Sequence, residues 1–277
     1  LITAQVRAGH ACGALSFDGW RPARGGQGSQ LAERGHHNGA SVCRLSAPAQ
    51  LEDARRFAQD CMPDLLHVHH GMLWPFAEEL RRSLGVPAAF TVHVHQAEMN
   101  RLRGVTEQTK SLEGQVRALS GADLVLAPSV ACARAVRADY PGLEVVVTPL
   151  GVEPGDEPLD AERRGPLLYV GRLGDVKGTL EFFALCQRIL PMHPDLGAVV
   201  VGGLPDSPRG ERRWRRRWEE GAPSEIASRL HFAGWCGPEV VREYLRTTRA
   251  LVVPSWTETF GLTVLEGMLA AAPVVAA

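Results

Sequence analysis

Short β-branched runs alternate with longer helical stretches along most of this chain, and this alternation restricts the fold more than any other feature. Candidate strands in the first half cover residues 14–17, 41–45, 65–69, 89–93, 124–127 and 145–149, and those in the second half cover 167–170, 197–201, 230–233, 250–253 and 274–277. Candidate helices include 71–84, 107–120, 130–138, 178–190 and 238–247. This order predicts an α/β protein with parallel sheets.

The segment 151–165 is polar and acidic, contains proline and glycine, and separates the two sets of strands. We interpret it as a linker between two doubly wound, Rossmann-like domains. A chain of 277 residues is long enough for two domains. The predicted domains are residues 1–155 and 156–277.

Both ends of the sequence have the pattern of an interrupted domain. Residues 1–9 are typical of the last turns of a helix with its C-cap at Gly9, so we expect the first strand of the first domain to be missing. The sequence stops inside the apolar run 273–277, so the second domain is expected to be incomplete. Residues 18–40, rich in Gly, Arg and Gln, are interpreted as a loop.

Composition and charge argue against several classes of protein. With 45% hydrophobic and 22% charged residues the chain is typical of a globular protein, and its net charge of −1 gives no general attraction to nucleic acid or to a membrane. No apolar run reaches the ~20 residues that span a bilayer. The six cysteines lack C-x-x-C spacing, and free thiols predict a cytoplasmic protein.

The strongest candidate motif is P-S-W-T-E-T-F-G-L-T-V-L-E, residues 254–266. An apolar strand ends at Pro254, a polar loop follows, and a helix is expected to begin near Gly261. Ligands of open α/β sheets bind beyond the carboxyl ends of the strands, where a helix N-terminus offers unpaired N–H groups. Glu258 in the loop and Glu266 in the helix are expected at different depths of one pocket. The alternative is a capped helix with one solvent-facing glutamate.

The second candidate motif is Y-V-G-R-L-G-D-V-K-G, residues 169–178. A strand enters a glycine-rich turn that carries Arg172 and Lys177 just before a helix. Two cations on such a turn can neutralise a diphosphate, and arginine does so with a planar fork. A surface turn with solvated charges is the alternative.

Both motifs are similar to those of the retaining glycosyltransferases of family 4, which adopt the GT-B fold of two facing Rossmann-like domains. The resemblance rests on Gly-Arg-Leu followed by Lys177-Gly178, and on the E-x7-E spacing of Glu258 and Glu266 around Phe-Gly-Leu. It continues in the same order at residues 63–69, 90–93, 122–129, 147–152 and 230–235, and so covers most of the chain.

The resemblance implies a role for each charged residue that matches. Arg172 and Lys177 would hold the diphosphate of a nucleotide-sugar donor and stabilise the leaving nucleotide. Glu266 would accept hydrogen bonds from the ribose hydroxyls, and Glu258 would orient the transferred sugar. Because the two cations neutralise the diphosphate, the resemblance implies neither a bound metal nor another cofactor, and the sequence has no D-x-D pair in a suitable loop.

The remaining matches complete the donor site and its surroundings. Gly171 belongs to the turn that approaches the donor, and backbone amides of Phe260, Gly261 and Leu262 would assist in orienting the sugar. His93, at the end of a strand in the first domain, would reach towards the sugar and the reacting centre.

The sequence departs from the family pattern at four places. Leu150 replaces a common Asn, Val94 replaces an acidic residue, and Ala271 replaces a glycine and is expected to tighten helix–strand packing. The Gly-Gly turn usual near the N-terminus of the family is not found, since Gly25-Gly26 follows the second strand. If that turn is absent, we expect the chain to be inactive.

Two other clusters have simpler interpretations. Histidines 67, 69, 70, 93 and 95 could place metal ligands on one face of two strands, but no Asp or Cys partner has ligand spacing, so we predict no metal site. Six arginines between positions 209 and 217 could contact phosphate or a membrane surface. Flanking glutamates instead favour a solvated helix face with Trp214 and Trp218 packed inward.

These features favour transfer of a sugar from a nucleoside-diphosphate sugar to an acceptor hydroxyl, with retention of configuration. The acceptor could be a glycan, a lipid or a small molecule. A nucleotide-sugar epimerase of the same fold and a non-catalytic sugar-nucleotide-binding protein are the alternatives, and the E-x7-E spacing favours the transferase. We expect no nucleic-acid partner and leave peripheral membrane contact open. High Arg and Ala usage is typical of a GC-rich bacterial source.

Overall fold

The computed structural model describes residues 2–17, 33–37, 39–45, 51–152, 163–203 and 208–277. Most of the predicted linker (153–162) and the Gly25-Gly26 pair lie outside the described residues. The helices are α1 Ile2–Arg7, α2 Leu51–Cys61, α3 Trp74–Leu84, α4 Gln96–Leu102, α5 Lys110–Gly121, α6 Val130–Asp139, α7 Thr179–Ile189, α8 Pro208–Gly221, α9 Ser224–Ala227, α10 Pro238–Thr247 and α11 Leu262–Leu269. The strands are β1 Gly13–Phe17, β2 Glu33–His37, β3 Ala40–Leu45, β4 Leu66–Val68, β5 Ala88–Thr91, β6 Leu124–Ala127, β7 Val145–Val147, β8 Leu167–Val170, β9 Ala198–Val201, β10 Leu230–Gly234, β11 Ala250–Val253 and β12 Val274–Ala276.

The chain divides into two compact units. The first comprises Leu1–Gln96, Glu107–Ala127 and Val136–Val146, and the second comprises Ala97–Thr106, Pro128–Ala135 and Val147–Ala277. Neither unit is continuous in sequence, because two short segments that precede residue 147 cluster with the second unit.

The first unit contains two sheets. One has the order β4-β5-β6-β7, and within it β4 pairs with β5 and β5 with β6 in parallel. All four residues of β5 are buried, as expected for a central parallel strand. The other sheet has the order β1-β3-β2, in which β1 is parallel and β2 antiparallel to β3.

The prediction of a loop throughout residues 18–40 is therefore wrong for part of that range. Residues 33–37 form β2, which pairs with β3 from Glu33 opposite Arg44 to His37 opposite Ala40. Gly39 takes a φ of +82° between the two strands, a conformation that favours glycine in a tight turn. An antiparallel hairpin thus occupies the edge of a sheet that was expected to be wholly parallel.

The second unit is built on one five-stranded sheet in the order β10-β9-β8-β11-β12, and every pairing in it is parallel. Consecutive side chains of β8 alternate between two hydrophobic clusters, one on each face of the sheet. Leu167 and Tyr169 pack with α7 and α8, whereas Leu168 packs with residues of α10 and α11. Helices therefore cover both faces of this sheet, which confirms the doubly wound architecture predicted for the second half.

Glycine at position 267 allows α11 to approach the sheet closely. A Cβ atom there would lie 2.5 Å from Leu251 Cδ2 and 3.0 Å from Val274 Cγ2, so a larger residue would push the helix away from β11 and β12. Among the described residues, no helix combines the length and the apolar character that a bilayer crossing requires.

Candidate functional site

The strand order of the second unit creates a crevice. From β8 the chain proceeds to β9 and β10 on one side, and it then returns to form β11 and β12 on the other side of β8. The order thus reverses between β8 and β11, and ligands of such sheets bind beyond the carboxyl ends of the strands at this reversal. The loops that follow these two strands are residues 171–178 and 254–261, which are the two motifs singled out in the sequence.

The two loops touch through backbone atoms. Gly178 has a φ of +69°, and a Cβ atom on it would lie only 1.9 Å from the carbonyl oxygen of Pro254. On the other side of this contact, the Trp256 amide donates to the carbonyl of Val176 at 2.9 Å. The indole Nε1 of Trp256 donates to Glu181 Oε1 at 2.7 Å and so ties the second loop to α7. Only glycine fits at position 178.

Lys177 and Glu258 form an ion pair across the crevice, with 2.6 Å between Lys177 Nζ and Glu258 Oε1. Each side chain is 30% exposed, so water still reaches the pair and screens it in part. Each residue was predicted to contact a bound ligand. The structure pairs the cation directly with the carboxylate.

A buried tyrosine holds the first loop in shape. Tyr169 Oη lies 3.0 Å from the carbonyl oxygen of Arg172 and 3.2 Å from that of Lys177, and it is 3.2 Å from Thr179 Oγ1. Thr179 Oγ1 in turn accepts from the Gly174 amide at 2.9 Å. Burial, with a further contribution from the Glu258 carboxylate, raises the pKa of Tyr169 to about 12, so its hydroxyl keeps its proton and can donate.

Arg172 is exposed on the same loop, and within the described residues it forms no ion pair. The adjacent Gly171 amide donates to the Val201 carbonyl at 3.0 Å, which keeps the start of the loop in line with β9. Gly202 is needed for this contact, since a Cβ atom there would lie 1.8 Å from Gly171 O. The guanidinium is thus carried on a fixed backbone and remains available to an anion.

The second loop leads into α11 as predicted. Gly261 is the N-cap with a φ of +83°, and Leu262 is the first helical residue. The first turn of a helix leaves N–H groups without intrahelical partners. Of the three amides expected to contact the sugar, that of Leu262 lies in this turn, and those of Phe260 and Gly261 directly precede it. Phe260 lies half-buried immediately before it.

Glu266 lies in the second turn of α11 and is half-buried. Burial raises the pKa of its carboxyl, and Arg242 opposes this shift. Glu258 and Glu266 therefore occupy a loop and a helix respectively, as the sequence indicated.

Ser129, at the start of α6, fixes the second loop from outside the sheet. Its Oγ donates to the carbonyl of Thr259 at 2.6 Å and accepts from the Cys132 amide at 3.0 Å. Both Ser129 and Thr259 belong to the second unit.

His93 belongs to the first unit, where it follows β5 and is half-buried. Its Nε2 lies 2.8 Å from His69 Nδ1, and the two rings stack with their centroids 5.1 Å apart. His67 lies beside His69, with 4.1 Å between ring centroids, and its Nε2 is 2.7 Å from Thr91 Oγ1. The carboxyl ends of β4 and β5 thus bring three imidazoles together.

Burial is the main cause that lowers the pKa of all three histidines. For His69 it acts together with the neighbouring rings and brings the pKa to about 4. His67 is shifted down by burial and by His93, and His93 by burial. The cluster is therefore uncharged at neutral pH. Among the described residues, no group of three or more His, Cys, Asp or Glu side chains is arranged to hold a metal ion.

The departure from the family pattern at Ala271 affects the conformation of the backbone at that residue. Ala271 has a φ of +50° and is exposed, so it lies in the left-handed region without contributing to helix–strand packing. The expected tightening of the packing is not what the structure shows. A non-glycine residue in this region is strained because its Cβ atom crowds the following carbonyl.

The sequence reasoning missed three residues that shape the site. Tyr169 and Thr179 fix the first loop, and Trp256 ties the second loop to α7 through its indole and to the first loop through its amide. The signal available for Thr179 was a hydroxyl residue directly after Gly178 at a helix start. Nothing in the sequence indicated that the Tyr169 hydroxyl would turn towards the loop.

Several curated proteins resemble the chain over most of its length. It is 29% identical over 257 residues to the D-inositol 3-phosphate glycosyltransferase of Acidothermus cellulolyticus, which covers 85% of this chain and 56% of that protein. It is 27% identical over 226 residues to the glycogen synthase of Mycobacterium tuberculosis H37Rv, covering 77% and 51% respectively. The chain thus spans about half the length of the curated relatives it matches.

Solved structures with the same fold extend over nearly the whole chain. The sucrose-phosphate synthase of Thermosynechococcus elongatus matches with a TM-score of 0.75 at 19% identity, covering 99% of this chain and 73% of that one. A trehalose-6-phosphate protein from E. coli, solved with UDP-2-fluoro glucose, matches with a TM-score of 0.66 at 15% identity, covering 99% and 79%. These similarities confirm the predicted GT-B fold.

The sequence models of two families account for almost all residues. The family described as "Glycosyl transferases group 1" matches residues 164–277, which include both loops of the crevice. The family described as "Glycosyltransferase Family 4" matches residues 1–156, more than half of the chain. With the family motifs at the carboxyl ends of β8 and β11, the chain belongs to glycosyltransferase family 4.

Proposed function

We propose that this chain belongs to a retaining glycosyltransferase that transfers a sugar from a nucleoside-diphosphate sugar to an acceptor hydroxyl without a metal ion. The observation that carries the proposal is the pairing of Lys177 with Glu258 at the reversal of strand order. A cation and a carboxylate in one crevice suit a ligand with both a diphosphate and sugar hydroxyls.

The diphosphate is the part of the donor that needs positive charge. Lys177 exchanges Glu258 for the diphosphate. Arg172, which is exposed on the same loop, adds a second cation. Both cations are carried on a loop held by Tyr169 and Thr179. Charged groups on such a fixed loop stabilise the leaving nucleotide with little reorganisation.

The two glutamates contact different parts of the donor. Glu258, released from Lys177, accepts hydrogen bonds from the transferred sugar, and the amides of the first turn of α11 assist it. Glu266 accepts hydrogen bonds from the ribose hydroxyls.

The reaction that follows from these roles is a front-side displacement. The bond between the anomeric carbon and the diphosphate oxygen breaks, and the acceptor oxygen bonds to the same face of that carbon. The leaving phosphate oxygen takes the acceptor proton. Lys177 and Arg172 neutralise the charge that develops on the leaving group, and this is the work a divalent cation would otherwise do.

The test is to incubate the full-length protein with UDP-, GDP-, ADP- and TDP-sugars, with and without candidate acceptors and EDTA, and to measure released nucleotide. We expect release with one nucleotide class, unaffected by EDTA, and a product that keeps the anomeric configuration by NMR. An inverted product would contradict retention, and loss of activity with EDTA would contradict metal independence.

Two variants test whether Glu258 belongs to the site. Glu258→Ala should abolish turnover, while Glu225→Ala, which removes an exposed carboxylate on α9, should not. Turnover that survives Glu258→Ala would contradict the site assignment. Nucleotide-sugar binding without release under every condition would favour the non-catalytic alternative.

A further inference from the structure

The helix α8 carries most of its arginines on one side. At about 100° per residue, Arg212, Arg213, Arg216 and Arg217 fall within an arc of about 140°. All four are exposed, and together with Glu220 they line a shallow recess of about 540 Å³. We call these four residues the arginine face.

The opposite side of α8 is anchored in the core of the second unit. Trp218 is 1% exposed, and its Nε1 donates to the carbonyl of Ala227 at 3.0 Å. Trp218 and Trp214 both pack against the ring of Phe183. The inward position of both tryptophans, predicted from the sequence, is confirmed. The helix therefore cannot rotate to bury the arginine face.

A fifth arginine of α8 shows how this protein satisfies a guanidinium that it keeps for structure. Arg215 turns inward and donates to Glu211 Oε1 at 2.9 Å and to the carbonyl of Phe232 at 3.2 Å. On the arginine face, by contrast, only Arg216 has an ion-pair partner within the described residues, Glu220 at 2.7 Å.

The arrangement also works against the stability of the helix. Arg212 and Arg216 are four residues apart, as are Arg213 and Arg217, and like charges at this spacing repel on a helix surface. With Glu220 counted, the face keeps a net charge of three. Stability of the helix therefore does not explain the arginine face, whereas a polyanionic surface would.

We propose that the arginine face is the surface by which this protein binds anionic phospholipid bilayers. The whole chain has a net charge of −1, so the attraction is local and orients the molecule rather than drawing it to any polyanion. Trp218 is buried, and the partly buried Trp214 ring packs on Phe183 with the Arg217 guanidinium 6.0 Å from its centroid, so neither ring is left free for a nucleic-acid base to stack on.

The chemistry of the face defines the mode of binding. Its exposed side chains are charged, so the protein rests on the headgroups without inserting apolar residues into the bilayer. Each arginine near an anionic surface raises binding roughly fivefold, and three net charges give about a hundredfold. Attraction of this kind weakens as salt increases.

The experiment is co-sedimentation of the full chain with phosphatidylcholine vesicles that do or do not contain phosphatidylglycerol. We expect binding only to the anionic vesicles, and loss of that binding at high salt. The double variant Arg213→Glu with Arg217→Glu should weaken it at least tenfold, whereas Arg213→Lys with Arg217→Lys, which keeps the charge, should retain it within about threefold.

The matched control is Arg188→Glu with Arg249→Glu, the same change of charge at two exposed arginines elsewhere on the second unit, and it should bind within about threefold of the unchanged chain. All variants alter exposed side chains, and circular dichroism verifies that each is folded. Equal binding to neutral vesicles, or equal loss in the control, would overturn the proposal. So would tight binding of duplex DNA or inorganic polyphosphate to the arginine face with no binding to anionic vesicles.

Discussion

Lys177 Nζ lies 2.6 Å from Glu258 Oε1, although 81 positions separate the two residues in the sequence. The reversal of strand order brings them together, because one follows β8 and the other follows the adjacent β11. In the proposed reaction both must exchange this contact for contacts with the donor. If the proposed roles hold, the ion pair competes with the donor for both side chains.

Changing each partner of this ion pair should affect nucleotide and sugar binding differently. Lys177→Ala should weaken binding of the free nucleoside diphosphate about tenfold to a hundredfold, the range expected for a charged hydrogen bond. Glu258→Gln should leave that affinity unchanged or increase it, because it releases Lys177, but it should weaken binding of the nucleotide sugar.

Isothermal titration calorimetry with both ligands measures these effects. Lys110→Ala is the matched control, since Lys110 is an exposed lysine at the start of α5 in the first unit. Equal losses of nucleoside-diphosphate affinity in Lys177→Ala and Glu258→Gln would contradict the competing role of the ion pair.

Gly178→Ala should separate the two loops of the crevice. The added Cβ atom would overlap Pro254 O, and the φ of +69° disfavours alanine as well. We expect a loss of at least about 2 kcal/mol in the free energy of unfolding, together with loss of nucleotide binding. Urea denaturation and calorimetry measure both.

Gly174→Ala is the control within the same loop. Gly174 has an extended φ of 176°, and nothing lies within 4 Å of the position that a Cβ atom on it would take. This variant should change stability by less than about 1 kcal/mol. A similar loss in both variants would show that the loop tolerates no side chain at all and that the contact with Pro254 is not the cause.

Tyr169→Phe should loosen the first loop while leaving the core filled. It removes the hydroxyl that contacts Arg172 O and Lys177 O, and we expect about 1 kcal/mol less stability and a higher KM for the donor. Tyr244→Phe on α10 is the control. A KM that does not change in Tyr169→Phe would show that other contacts suffice to hold the loop.

The histidine cluster should make the stability of the protein depend on pH. The pKa of His69 is about 4 in the folded chain, below the 6.5 of a histidine in the unfolded chain, so the unfolded chain binds more protons between these two pH values. Stability should therefore fall as pH drops from 6.5 towards 4 and change little above 6.5 through this group. His69→Gln should reduce the slope of unfolding free energy against pH between pH 4 and 6.5. A slope that His69→Gln leaves unchanged would contradict the assignment.

Ala271→Gly should stabilise the protein. Glycine removes the strain of a φ of +50°, but it also raises the conformational entropy of the unfolded chain. The expected net gain in the free energy of unfolding is about 0.5–1 kcal/mol. Ala270→Gly is the adjacent control, because Ala270 has a φ of −77° and gains nothing from glycine. Thermal unfolding compares them, and a lower midpoint for Ala271→Gly would contradict the strain.

The sequence predicted the three central strands of the second unit well, because β8, β9 and β11 are buried almost throughout and form uninterrupted apolar runs. Residues 167–170 and 250–253 coincide with β8 and β11. It failed at β2, whose residues E-R-G-H-H have little preference for a strand and are ordered by pairing with β3. Pairing of this kind is a tertiary effect.

The candidate site was predictable as two motifs but not as a network. Fixed spacing along the chain identified Lys177, Glu258 and Glu266. Their contacts depend on which strands are neighbours and on rotamers that spacing does not determine. The ion pair of Lys177 with Glu258 and the contact of His69 with His93 became visible only in the folded chain.

The meeting of Gly178 with Pro254 O, and of the Trp256 amide with Val176 O, has a consequence for the evolution of such a crevice. These contacts are made by the main chain, so the separation between the two loops does not depend on which exposed side chains the loops carry. Exposed positions such as Asp175 can change without altering the backbone contacts beneath them. A protein built in this way can acquire a preference for a new ligand by changing one exposed loop residue at a time, while the backbone geometry that holds the two loops together is inherited unchanged.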